Sequence, residues 1–148
     1  MPHEQAEAIA PHVFYEWDRF TQAAQRIAMS QSAGDAYGVD LTLEAFLQHA
    51  RNLLHFFSRD TSPRDDVFAI HFVDSWTCPM TELPYLNQHA KRLDRSIQHL
   101  SYSRITYGAN REWPIDTIVS EMQAVWNRFW SELTPEQQEW FLRLIDPA

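Results

Sequence analysis

A single cysteine, Cys78, stands among 148 residues, so no disulfide can form within the chain. A reducing cytoplasm is the compartment this usage suits. Cys78 lies in Thr77-Cys78-Pro79 without a CxxC partner, which reads as a small buried hydrophobe. Glycine is almost as scarce: Gly34, Gly38 and Gly108 are too few for a turn-dense β fold. No apolar run approaches the ~20 residues that a membrane-spanning helix needs, so no membrane partner is expected. Met1-Pro2-His3-Glu4-Gln5 lacks the basic-then-apolar layout of a signal peptide. There is no phosphate-cradling glycine loop and no Gly-x-Ser-x-Gly, which leaves an NTPase or a serine hydrolase without support.

What the chain has is large apolar side chains. Apolar residues make up 45% and aromatics 14%, which excludes disorder and supplies the core of one domain, expected to span residues 1–148. Val13, Trp17, Phe20, Ala24 and Ile27 follow 4-3-4-3 steps and predict a helix from Pro11 to Ser30, with Pro11 in the first turn. A second helix is predicted over Leu41–Ser58, capped by Asp40 or Thr42, with Leu43, Phe46, Leu47, Ala50, Leu53, Leu54 and Phe57 on one face. Residues 59–66 read as a loop. Val67–Trp76 is ambiguous by pattern and is assigned to helix, because no second strand exists to pair with it. A third helix is predicted over Pro84–Tyr102 and a fourth over Pro114–Leu133. Thr134-Pro135-Glu136-Gln137 is a capping-box restart for a fifth, ending near Ile145. The expected class is all-α: an antiparallel bundle of four long helices plus short ones. Trp126, Phe129, Trp130 and Trp140 are expected in the core or a dimer seam.

The net charge of −8 is unevenly spread. Residues 1–86 hold 5 basic and 12 acidic side chains, and residues 112–148 hold 2 and 7. Residues 87–111 reverse the balance, with Lys91, Arg92, Arg95, Arg104 and Arg111 against Asp94 alone. Such a segment is either a cationic helix answering acidic neighbours or an anion-binding site. On the wheel of the third helix, Arg92 lies about 100° to one side of Leu93, and His99 about 120° to the same side. Seven residues is nearly two turns, so the pair shares a stripe roughly 10 Å long. Arginine is a fixed cation that binds phosphate through two N–H groups, and histidine exchanges a proton near neutral pH. A solvated arginine and a surface or capping histidine explain the same residues without chemistry.

The segment Arg92-Leu93-Asp94-Arg95-Ser96-Ile97-Gln98-His99 resembles the Arg-x4–6-His motif of the HEPN superfamily, named for higher eukaryotes and prokaryotes nucleotide-binding domains. The stretch Phe46-Leu47-Gln48-His49-Ala50-Arg51-Asn52-Leu53-Leu54-His55-Phe56-Phe57, and the continuation to Tyr102-Ser103-Arg104, are similar to bacterial proteins of this type. The resemblance covers about a quarter of the chain. It implies a helical homodimer, often a toxin with an antitoxin-like protein partner, that cleaves RNA without a metal or other cofactor. His99 would then be the general acid or base and Arg92 would bind the scissile phosphate. Lys91, Arg95 and Arg104 would bind RNA, with Arg51, Asn52 and Tyr102 in support.

Two alternatives stay open. Some domains of this superfamily have lost catalysis and bind a partner protein or a nucleotide. In the other, His49, His89 and His99 converge from facing helices on a metal, as in DinB-like helical proteins, although no spacing signature marks such a site. All these readings require a helical chain. The far-UV circular dichroism spectrum is therefore expected to be strongly helical, and a strand-dominated spectrum contradicts the assignment.

Overall fold

The first helix, α1, spans His3–Ser32. It belongs to a computed structural model that describes residues 1–58, 66–98 and 113–145, with backbone alone for 96–98. The later elements are α2 (Ala36–Phe57), a 3₁₀ turn (Ala69–His71), α3 (Pro84–Gln88), α4 (Ala90–Gln98), α5 (Ile115–Glu132) and α6 (Pro135–Phe141). Among the described residues there is no strand, and the all-α class stands. No helix there is long and apolar enough to cross a membrane.

α1 begins well before Pro11, contrary to expectation. Pro11 lies inside the helix, where it gives no N–H to the Glu7 carbonyl, a defect costing roughly 3 kcal/mol. Tertiary contacts offset it. Ala6 and Ala10 are buried, Glu7 pairs with Arg143, and the His3 ring meets Trp140 edge-on at 4.7 Å. Small alanines leave no apolar stripe to read, and that hid these turns.

α2 also starts early. Its cap is Asp35, not Asp40 or Thr42: the carboxylate accepts the Gly38 N–H at 2.9 Å. A Cβ on Gly38 would sit 2.2 Å from Asp35 Oδ2, so a larger residue would displace the capping carboxylate. Gly34, at φ +68°, makes the turn between the two helices. α1 and α2 run antiparallel, as the pairs Phe20–Phe46 and Glu16–His49 show.

The segment 67–76 is not the expected helix. Apart from the 3₁₀ turn it is an irregular corner, closed by a turn in which the Trp76 N–H donates to the Val73 carbonyl at 2.9 Å. Phe68, Ala69, Phe72, Val73 and Trp76 are buried from this corner. Trp76 Nε1–H donates to the Phe57 carbonyl at 3.0 Å, satisfying an acceptor at the end of α2.

The predicted third helix is broken. His89, at φ −109° and ψ 14°, separates α3 from α4. Its ring stacks on Tyr85 at 4.1 Å, and its Nδ1 lies 2.9 Å from the Tyr85 carbonyl, which also accepts the His89 N–H. The start of α3 is capped from α5: the Glu121 carboxylate accepts the N–H groups of Tyr85 at 2.7 Å and Leu86 at 3.1 Å. The Thr134–Gln137 capping box forms as predicted, and Gln137 also donates to the Phe72 carbonyl. α6 ends at Phe141, short of Ile145.

The core is aromatic, and no polar or charged side chain is buried among the described residues. Trp126, Phe129 and Trp140 lie in it, with Trp130 packed against its edge. Trp17 stacks on Trp126 at 4.8 Å. Phe129 is fully buried, between 5.2 and 6.2 Å from the rings of Phe56, Phe57, Phe72, Trp76, Trp126 and Phe141. Phe129→Ala is expected to cost about 3–5 kcal/mol in urea unfolding. A loss below about 1 kcal/mol would show that these rings do not depend on it.

Candidate functional site

α4 carries the basic residues, and one apolar anchor fixes its orientation. Leu93 is buried against the core, which sets its neighbours to either side. On one side Asp94 accepts Arg51 Nε–H at 2.6 Å, tying α4 to α2. On the other, the half-buried Arg92 lays its guanidinium over the Trp113 ring, 3.9 Å from the centroid. A planar cation on an indole face is held in place at modest cost in entropy. Lys91 and Arg95 are exposed. The helix thus presents one immobilised cation flanked by two solvated ones.

Of the predicted site residues, the structure places Lys91, Arg92 and Arg95 together on α4, with Arg51 joined to it through Asp94. Asn52 is placed elsewhere. It faces α1, where it hydrogen-bonds Glu16 and accepts from Gln48 at 3.1 Å. His99, Tyr102 and Arg104 lie outside the described residues. Between α2 and α4 is a groove of about 370 Å³, lined by Arg51, His55, Cys78, Leu83, Lys91 and Asp94 among others. Cys78 is exposed there and is not the buried hydrophobe expected from sequence.

Of the histidines weighed as metal ligands, the two among the described residues have other contacts. His49 Nδ1 lies 2.6 Å from Glu16 Oε2, and His89 Nδ1 faces the Tyr85 carbonyl. Among the described residues no group of three or more His, Cys, Asp or Glu side chains is placed to hold a metal ion. His71 Nδ1 accepts the Phe68 N–H at 3.1 Å, which requires an unprotonated nitrogen. Burial, and then the positive N-terminus, push its pKa below the usual histidine value.

Sequence reasoning missed three residues that shape this region. Trp113 stands beyond the segment from Arg92 to Arg111, and no helical spacing links it to Arg92. Glu121 looks like any solvated carboxylate on α5 until α3 is seen to start on it. Glu16 offered a weak signal, lying four before Phe20 on the margin of the α1 stripe. Burial pushes the Glu16 carboxyl up, but the hydrogen bonds from His49 and Asn52, with the charge of His49, outweigh burial and leave it below the ordinary 4.5.

No family model, curated protein or solved structure matches this chain.

The Glu16 pairing sets a pH dependence. A carboxylate with a lowered folded-state pKa contributes stability that is fully present above its unfolded value and is lost as pH falls through the folded one. The wild type should therefore melt above Glu16→Gln at pH 6–7, with the gap closing below the unfolded value of 4.5. A gap that stays constant from pH 7 to 3 contradicts an ionised Glu16 tie between α1 and α2.

Proposed function

We propose that this chain is a HEPN-like helical-bundle domain that cleaves RNA phosphodiesters without a metal, acting in the cytoplasm as a twofold homodimer. The observation that carries the reading is Arg92 held over Trp113, with Lys91 and Arg95 exposed beside it in the net-positive segment of an acidic chain. A cation positioned before substrate arrives stabilises developing phosphate charge with little reorganisation. Leu93 and the Arg51–Asp94 pair fix the helix that bears it.

In this reading the ribose 2′-OH attacks the adjacent phosphorus and the 5′-oxygen leaves. One His99 accepts the 2′ proton, and its counterpart across the twofold gives a proton to the leaving oxygen. The products are a 2′,3′-cyclic phosphate and a 5′-hydroxyl. Arg92 neutralises the phosphorane-like transition state. A positioned acid or base is typically worth ~10²–10⁴ in rate. One chain supplies one Arg–His pair, so a cleft using two of each requires the antiparallel bundle to dimerise. An antitoxin-like protein that covers this cleft would hold such an enzyme silent.

One observation favours a second reading. Arg92 is half buried against Trp113 and does not extend into solvent, a posture that also suits a side chain fastening α4 to residue 113. The chain would then be a non-catalytic module of the same fold, binding a partner protein or a nucleotide.

RNA digestion in EDTA separates the two. The enzyme reading predicts cleavage by the wild type, weakening as salt rises. It also predicts loss of cleavage by at least about a hundredfold in Arg92→Ala and His99→Ala, with Arg95→Ala milder. Sedimentation should show a dimer. Inert wild-type protein, or a monomer at micromolar concentration, contradicts it. Arg92→Ala that lowers the melting temperature without any wild-type cleavage to lose supports the binding module.

A further inference from the structure

A second cationic site lies along α1 and its neighbour α2. On α1, Tyr15, Arg19, Gln22 and Arg26 follow steps of 4, 3 and 4, which places them on one stripe. Facing them on α2 are Thr42 and His49, and the two stripes enclose a groove of about 360 Å³. Ala23 and Ala45 leave the space between them open. Arg19 rests on the Tyr15 ring, 4.9 Å from its centroid, and the His49 ring meets the same tyrosine edge-on at 6.4 Å. Arg26 lies two turns further along α1, about 10 Å by helix geometry. Helical side chains lean towards the N-terminus, so Arg26 reaches back along the groove and can meet an anion held by Arg19.

Two facts mark this groove as more than a solvated face. Among the described residues neither Arg19 nor Arg26 pairs with a carboxylate, although residues 1–86 hold 12 acidic side chains. The nearby Asp18 carboxylate instead accepts from Gln22 at 2.8 Å. His49 is oriented from behind, because its Nδ1 is committed to Glu16. When protonated it donates Nδ1–H to that carboxylate and keeps Nε2–H for a ligand. A carboxylate-backed imidazole beside two arginines is a donor set for phosphate oxygens.

We propose that the α1–α2 groove binds the phosphate of a small phosphorylated molecule, a phosphomonoester, through Arg19, Arg26 and His49. The size falls within the range of small-molecule sites. The acidic surroundings favour a compact anion over a long polyanion, which a net-negative flank repels. The site is distinct from the α4 cations and does not depend on the ribonuclease reading.

The test is a titration of the full chain with inorganic phosphate and with phenyl phosphate at constant ionic strength. It is followed by the histidine ring signals in NMR, with His49 assigned from His49→Gln. Saturable movement of the His49 signals is expected, with millimolar affinity for phosphate and tighter binding of phenyl phosphate. Arg19→Ala and Arg26→Ala should each weaken binding about tenfold. Arg92→Ala should bind as the wild type does, so failure of the ribonuclease reading would leave this result intact. Should Arg19→Ala lose fold with its tyrosine contact, the exposed Arg26→Ala carries the comparison. Linear drift no greater than with chloride, or undiminished binding in both arginine variants, overturns the proposal. So does saturation of His49 by an RNA oligonucleotide but by neither phosphate.

Discussion

Everything in this molecule hangs on the packing of rings around Phe129. Its neighbours come from four separate stretches: α2 (Phe56, Phe57), the corner before α3 (Phe72, Trp76), α5 itself (Trp126) and α6 (Phe141). Aromatic side chains bury large area and prefer edge-on or offset contacts, so one such cluster fixes several elements at once. The corner 67–76 is the clearest consequence. It has little regular structure of its own, yet it is pinned by the burial of Phe72 and Trp76 and by the Trp76–Phe57 hydrogen bond. Arg128 seals it from outside, with its guanidinium 4.2 Å over Trp76, a bond to the Thr77 carbonyl and an ion pair to Glu82.

From that core the position of α4 follows. Leu83 and Leu86 are buried around α3, and Leu93 carries the same anchoring into α4. Once Leu93 points inward, Arg92 and Asp94 must leave on opposite flanks. Asp94 meets Arg51 and Arg92 meets Trp113. α4 is thus held from two sides by ordinary packing and pairing, and Arg92 stands at a fixed place on it. The second cationic groove follows from the antiparallel α1–α2 pair, where the Asp35 cap and Gly34 turn set the register of the two helices.

Much of this was legible in the sequence, and the exceptions have physical causes. The apolar stripes of α1, α2 and α5 and the Thr134–Gln137 box could be read directly, because periodicity and local hydrogen bonding depend on neighbours in the chain. The early start of α1 could not, since Ala6 and Ala10 are buried yet carry no strong apolar signal. The break at His89 was hidden because Leu86, Ala90 and Leu93 keep helical spacing across it. It is marked by the His89–Tyr85 contact, and the start of α3 is capped by Glu121, a residue more than thirty positions away. The candidate site was half legible. Its cations could be placed on one helix, but Trp113, which holds Arg92, enters through tertiary contact alone. Asn52, expected to support that site with Arg51, instead hydrogen-bonds Glu16 on α1.

In the proposed reaction the 2′-OH attacks phosphorus, and the ends of the products report that step. RNA of defined sequence, digested by the wild-type protein in EDTA, can be analysed by mass spectrometry of the fragments. Attack by the neighbouring 2′-OH, with proton transfer by His99 and charge stabilisation by Arg92, predicts 2′,3′-cyclic phosphate and 5′-hydroxyl ends. The same chemistry predicts no cleavage at a nucleotide carrying a single 2′-deoxy sugar. Fragments ending in 3′-hydroxyl and 5′-phosphate, or cleavage that survives the 2′-deoxy substitution, would exclude attack by the 2′-OH.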